Sequence, residues 1–186
     1  MYLICVRHLF VLLIGLALIC PAVALDVPYL AGRVTDQAGL LSAEASIRIS
    51  SILEELEQAK GAQVAVLTVP GLQDETIEKY SMRVVEVWKL GRKGVDDGLL
   101  LLIARDDRRI RIEVGYGLEG VVTDLDSRRI IDNIMLPVFR DSDFEGGIEA
   151  AVKAIRDLVM GDLDAIPGAA LPGASGLPNG AGMVLG

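Results

Sequence analysis

Apolar positions fall into alternating helix-like and strand-like runs between residues 42 and 160. Ser42 opens a helix in which Ile49, Ile52, Leu53 and Leu56 recur at the spacing of one helical face, and Gly61 ends it. Gln63-Val64-Ala65-Val66-Leu67-Thr68-Val69 is nearly unbroken in its apolarity and stops at Pro70-Gly71, the pattern of a strand covered on both faces. A second helix opens at Asp74 or Thr76 and carries Ile77, Tyr80, Ser81, Val84 and Trp88 toward Gly91. Residues 99–104 form another apolar run, Arg105-Asp106-Asp107-Arg108 is a polar turn, and Arg109-Ile110-Arg111-Ile112-Glu113-Val114 alternates with period two. These three pieces predict a β-hairpin with a buried central strand and a half-exposed partner.

Thr123, with Asp126 three residues on, has the spacing of a capping box, here with Asp in place of Glu. It leads into a helix carrying Ile130, Ile131, Ile134 and Met135 that is expected to stop at Pro137. A fourth helix spans about 144–160, with Ile148, Ala151, Val152, Ile155 and Val159 on one face. Arg33-Val34-Thr35-Asp36 can form at most a short edge strand. A helical crossover between the first strand and the hairpin favours a parallel pair, and the hairpin adds an antiparallel neighbour. The expected fold class is therefore α/β: a three-layer α/β/α sandwich with a small mixed β-sheet and about four helices.

The two ends of the chain break this pattern. Arg7 and His8 precede an apolar stretch over 9–19, and Ala22-Val23-Ala24 places small residues at a cleavage site, so 1–24 reads as a signal peptide. A retained membrane anchor is the alternative; Ile19 before Cys20 disfavours lipid attachment. The domain then covers 25–162, and 163–186 is a Gly/Pro/Ala-rich tail expected to be disordered. The expected location is extracytoplasmic, periplasmic or secreted.

Cleavage removes Cys5, Cys20 and His8, the only cysteines and histidine in the 186 residues. The mature chain then has no thiolate, no disulfide, no Cys/His zinc site and no serine-histidine triad. Losing Arg7 also takes the net charge from −8 to −9. A surface so acidic is ill suited to nucleic acid. Gly115-Tyr116-Gly117-Leu118-Glu119-Gly120 has the G-x-G-x-x-G spacing but follows a hairpin strand, so no nucleotide site is expected. Trp88 reads as core, and the turn at 105–108 as a solvated loop. Arg92, Lys93, Arg128 and Arg129 are the basic residues near enough to the acids to face an anion.

Hairpin geometry brings the loop before Leu99 beside the loop after Val114, so Asp96, Asp97, Glu119, Asp124 and Asp126 are expected at one rim of the sheet. Grouped carboxylates are solvated, raised in pKa, or bound to a cation. Ca²⁺ suits carboxylates and the carbonyls of glycine-rich loops, with Mg²⁺ as the alternative. Turn chemistry at Asp97-Gly98, and capping by Asp124 and Asp126, would explain the same residues without a ligand.

The ordered motifs resemble the TPM domain family. They are Val27-Pro28 with Gly32-Arg33-Val34-Thr35-Asp36-Gln37-Ala38-Gly39-Leu40-Leu41-Ser42, the run at 63–69, Gly94-Val95-Asp96-Asp97-Gly98-Leu99-Leu100-Leu101-Leu102, Arg111-Ile112-Glu113-Val114-Gly115-Tyr116-Gly117-Leu118-Glu119-Gly120, Thr123-Asp124 and residues 144–147. The resemblance implies an extracytoplasmic α/β/α domain, Ca²⁺ binding, an accessory role for membrane protein complexes and, in a plant member, acid phosphatase activity. Family members are often tethered by a C-terminal span, whereas the Gly/Pro tail here runs to Gly186 without a second apolar segment. Asp96, Asp97, Glu119 and Asp124 are the expected metal ligands, with Asp36 as a further candidate. The expected function is a divalent-cation-binding interaction module. The alternatives are a weak metal-assisted phosphomonoesterase, in which a carboxylate serves as nucleophile or base, and a structural domain whose acidic rim only confers solubility and which meets its partner through an apolar patch.

Overall fold

The structure, a computed structural model, describes residues 25–162 and 165–166. The signal-peptide reading and most of the tail lie outside the described residues. Four strands form one sheet in the order β1 (Val34–Asp36), β2 (Gln63–Val69), β3 (Gly98–Ala104), β4 (Arg109–Val114). The first three are parallel, and β3 and β4 form the expected antiparallel hairpin, with Leu99 opposite Val114 and Ala104 opposite Arg109. The predicted edge strand at Arg33 to Asp36 is present, three residues long, paired through Val34 with Val66.

Helix α1 (Ala43–Lys60) joins β1 to β2, and its ends are chemically fixed. The Ser42 hydroxyl accepts the Ala45 N–H, and Gly61 closes the helix in the left-handed conformation that glycine adopts without penalty. Helix α2 (Ile77–Trp88), capped by Thr76, joins β2 to β3. Its buried residues are the five of the predicted stripe. Alternate residues of each central strand supply the two cores. Val64, Val66, Leu99 and Leu101 pack with α1 and the C-terminal helices, whereas Ala65, Leu67, Leu100 and Leu102 pack with α2. Helices therefore cover both faces, as the three-layer reading requires.

One topological feature departs from common practice. The crossovers through α1 and α2 step across the sheet in the same direction, yet place their helices on opposite faces. They must therefore have opposite hands, and one is of the left-handed kind found in only about 2% of such connections.

The third helical segment also differs from expectation. It runs from α3 (Asp124–Arg129) through one wide turn (Ile130–Met135) into α4 (Leu136–Arg140), so Pro137 does not stop it. In the wide turn the Leu136 N–H reaches back to the Ile131 carbonyl, five residues away. That local widening accommodates a proline ring which would collide with a regular preceding turn. Helix α5 (Phe144–Met160) begins at the Asp143 cap and ends at Gly161. Packing reaches beyond residue 162, the boundary read from composition, because Ile166 is buried in the α1/α5 core.

Candidate functional site

The rim at the N-terminal ends of β2 and β3 is built by close backbone contact between the two loops that flank the hairpin. Gly115 N–H donates to the Gly98 carbonyl at 2.8 Å, and Gly117 N–H donates to the Asp96 carbonyl at 3.0 Å. A Cβ on Gly115 or Gly117 would collide with the carbonyl oxygen of Asp96 or Val95. The two loops thus meet as the hairpin geometry predicts, and glycine is what allows it.

The carboxylates at this rim have separate fates. Asp97 is buried, only 3% exposed, and both its oxygens are occupied: Oδ1 accepts the Arg92 N–H and Oδ2 the Arg92 Nε–H, each at 2.7 Å. Burial works to raise the Asp97 pKa, but hydrogen bonds from the Arg92 side chain and backbone, with the guanidinium charge, outweigh it and hold the carboxyl below its ordinary range. Asp97 also locks the loop to the sheet, because its carbonyl accepts the Gln63 N–H at 2.9 Å.

Asp96 is exposed, with a left-handed backbone (φ 57°), beside a shallow hollow of about 250 Å³ that it lines with Met82, Leu90 and Gly115. Glu119 is exposed on the turn after β4. Asp124 faces a different concavity, a groove along β4 lined also by Glu78, Arg111, Arg128 and Asp132. Asp126 is consumed by capping: its Oδ2 accepts from the Thr123 N–H at 3.1 Å and from the Thr123 hydroxyl at 2.6 Å. Asp36 lies at the opposite end of the sheet, where its oxygens accept from Leu40 N–H, Leu41 N–H and the Thr68 hydroxyl.

Among the described residues no three His, Cys, Asp or Glu side chains are grouped as metal ligands. Asp96 and Glu119 share the rim with Asp97, but Asp97 is committed to Arg92 and Asp124 opens onto the neighbouring groove. Sequence reasoning overlooked Arg92 as the partner of Asp97; its position five residues before the acid, within one short loop, was the available signal.

Partner contact through an apolar patch is among the expectations, but the sequence does not locate that patch. Tyr116 is 80% exposed, Leu125 54%, Val95 45% and Val121 38%, all on the two adjoining loops or the first turn of α3. Apolar side chains of this size, gathered among acids on otherwise polar loops, are the composition of a contact surface.

Fold and rim together define a small three-layer α/β domain with a glycine-built, acidic and partly apolar loop cluster at one end of a mixed sheet. Residues 34–158 match the TPM domain, and the chain belongs to the TPM domain family. No curated protein matches it. Among solved structures it is similar to the N-terminal domain of a protein from P. gingivalis. The two share 34% identity over 74% of this chain and 91% of the other, with a TM-score of 0.69. The N-terminal domain of the cg2496 protein from Corynebacterium glutamicum shares the fold at 15% identity, covering 74% and 86% of the two chains, with a TM-score of 0.56. So does the BA42 protein from the psychrophilic Bizionia argentinensis, at 20% identity, 68% and 84% coverage and a TM-score of 0.55.

Proposed function

We propose that this TPM domain is an extracytoplasmic interaction module that docks, through the rim around Tyr116, onto a membrane protein complex. The observation that supports it most is the exposure of Tyr116, Val95, Val121 and Leu125 on the same loops as Asp96 and Glu119. Such a surface fits a partner patch with an apolar centre and a basic margin, since a buried tyrosine supplies affinity and complementary charge supplies orientation. A divalent cation, Ca²⁺ before Mg²⁺, is part of the proposal. Its ligands would be Asp96, Glu119 and backbone carbonyls, with Asp124 able to join only if the loops draw together. Asp97 is omitted because Arg92 holds it. Affinity near the millimolar range of extracellular modules is expected from so few charges. The phosphomonoesterase is the second reading: Arg92 is engaged by Asp97, which leaves Arg128, beside Asp124 in the groove along β4, as a basic residue near these acids without a carboxylate partner among the described residues.

A photo-crosslinking residue placed at 116 in cells tests the proposal against the same residue at Ile47, which is 67% exposed on α1. Adducts to a membrane protein from position 116 and not from 47 are expected, with reduced yield in the Asp96→Ala/Glu119→Ala variant or under chelation. No adduct from 116, or equal yield from 47, overturns it.

A further inference from the structure

At the opposite end of the sheet a second concavity of about 430 Å³ opens beside the carboxyl end of β3. That volume lies within the usual range of small-molecule sites, and the carboxyl ends of parallel strands are where α/β folds commonly place ligands. Its walls are apolar: Ile103, Ile110, Leu136, Phe139 and Phe144. Phe139 and Phe144 meet edge to face with ring centroids 5.0 Å apart, and Gly147 leaves room for the Phe139 ring, which a Cβ there would strike. The mouth is basic, lined by Arg105, Arg108, Arg109 and Arg140 with Ser142.

Two of these arginines lack a carboxylate partner among the described residues. In a chain of net charge −8, carboxylates engage Arg33, Arg48, Arg83, Arg92, Arg111 and Arg156. Arg105 is likewise held, by Asp106 and the Ala38 carbonyl. Arg108 and Arg140 have no ion pair or side-chain hydrogen bond among the described residues. Arg109 also lines the concavity, and its charge acts in addition on Glu78. Two turns thus converge on one apolar hollow with guanidinium groups left unneutralised. Arg108 and Ser142, one on each turn, are both held in the left-handed conformation (φ 53° and 62°), unusual for residues with a side chain.

We propose that this cavity binds an amphiphilic organic anion, its phosphate or carboxylate head between Arg108 and Arg140 and its apolar body against Ile103, Ile110 and the two phenylalanines. Arginine provides planar paired donors that match both head groups, and the phenylalanine wall requires the body. The inference does not depend on the acidic rim or its proposed partner.

The probe is octyl phosphate, titrated below its micelle concentration into the domain and followed by calorimetry and by amide shifts. Saturable binding is expected, with shifts at Ile103, Ile110, Phe139, Phe144 and Ser142. Affinity is expected to fall at least about tenfold in an Arg108→Gln/Arg140→Gln variant, because charged hydrogen bonds are lost. Both arginines are exposed, so the variant is expected to fold as the parent does. Inorganic phosphate and octanol alone should each bind at least about tenfold more weakly. The proposal is overturned by absence of saturable binding at 1 mM probe (about −4 kcal/mol of affinity at most), by unchanged affinity in the double variant, or by phosphate alone binding as well as the ester. Vesicles containing phosphatidic acid distinguish the source: arginine-dependent binding to them identifies a lipid head group, whereas arginine-dependent binding of the soluble ester alone identifies a free metabolite-like anion.

Discussion

The two ends of the sheet are made by opposite means. At the N-terminal rim, Gly98, Gly115 and Gly117 let loops pack backbone to backbone, the charged side chains are mostly acidic, and apolar groups stand outward. At the C-terminal end the turns are spaced apart, the unneutralised side chains are arginines, and the apolar groups line a hollow. The glycine-built rim carries exposed apolar and acidic groups on closely packed loops, while the turns at the other end flank a concave space. Unlike recognition roles are thus proposed for the two ends of the same four strands, with the core between them.

The sharpest way to break this contrast is to put a methyl group at each end. A Cβ on Gly115 would sit 2.2 Å from the Asp96 carbonyl oxygen, whereas one on Gly71 would meet only the Asp107 carboxylate at 3.4 Å. Gly115→Ala should therefore cost about 3 kcal/mol, as overpacking against backbone does. Gly71→Ala should stay within about 0.5 kcal/mol. Equilibrium denaturant unfolding compares the two, and equal costs would mean that the rim loops adjust without strain.

Asp97 gives the next largest effect. Asp97→Ala strips the Arg92 N–H of its buried acceptor, at a cost of about 2 kcal/mol. The pH dependence has a definite sign. Because folding lowers the Asp97 pKa, its ionised form stabilises the fold fully above the unfolded-state value near pH 4. That contribution disappears as pH falls through the lower folded value. Stability measured from pH 6 downward should therefore drop more steeply in the parent than in Asp97→Asn, and the two curves should converge in acid. Parallel curves would show that Asp97 is held no more tightly folded than unfolded.

Most of the scaffold was legible because local signals agreed with tertiary need. Ser42 and Gly61, Thr76, and the box of Thr123 with Asp126 all mark helix ends that the structure contains. Unbroken apolarity over 63–69 and 99–104 announced strands covered on both faces. What was not legible depended on contacts between distant residues. The opposite hands of the crossovers follow from which face each helix covers, and no local motif encodes that. Continuation past Pro137 depends on a widened turn before it. At the rim, the convergence of loops was readable from strand pairing, but the fate of each carboxylate was not: Asp97 turned inward to Arg92, and Asp36 proved to tie β1 to Thr68 at the far end. The basic cavity was invisible for the same reason, since the turn at Arg108 and the α4–α5 connection at Ser142 are far apart in sequence and each alone looks like solvated loop.

The smallest effect on stability should come from the residues given the largest roles in recognition. Tyr116 is 80% exposed and its ring anchors nothing in the core, so Tyr116→Asp should change unfolding free energy by no more than about 0.5 kcal/mol. A residue kept in place by folding would behave differently: Tyr80, fully buried with its hydroxyl directed to the Asp26 carbonyl, would cost several times more if replaced by Asp. Thermal unfolding of the two variants separates these outcomes directly. If Tyr116→Asp proved as damaging as Tyr80→Asp, the aromatic ring at the rim would belong to the scaffold, and the division between a packed centre and two recognition ends would fail at its most exposed point.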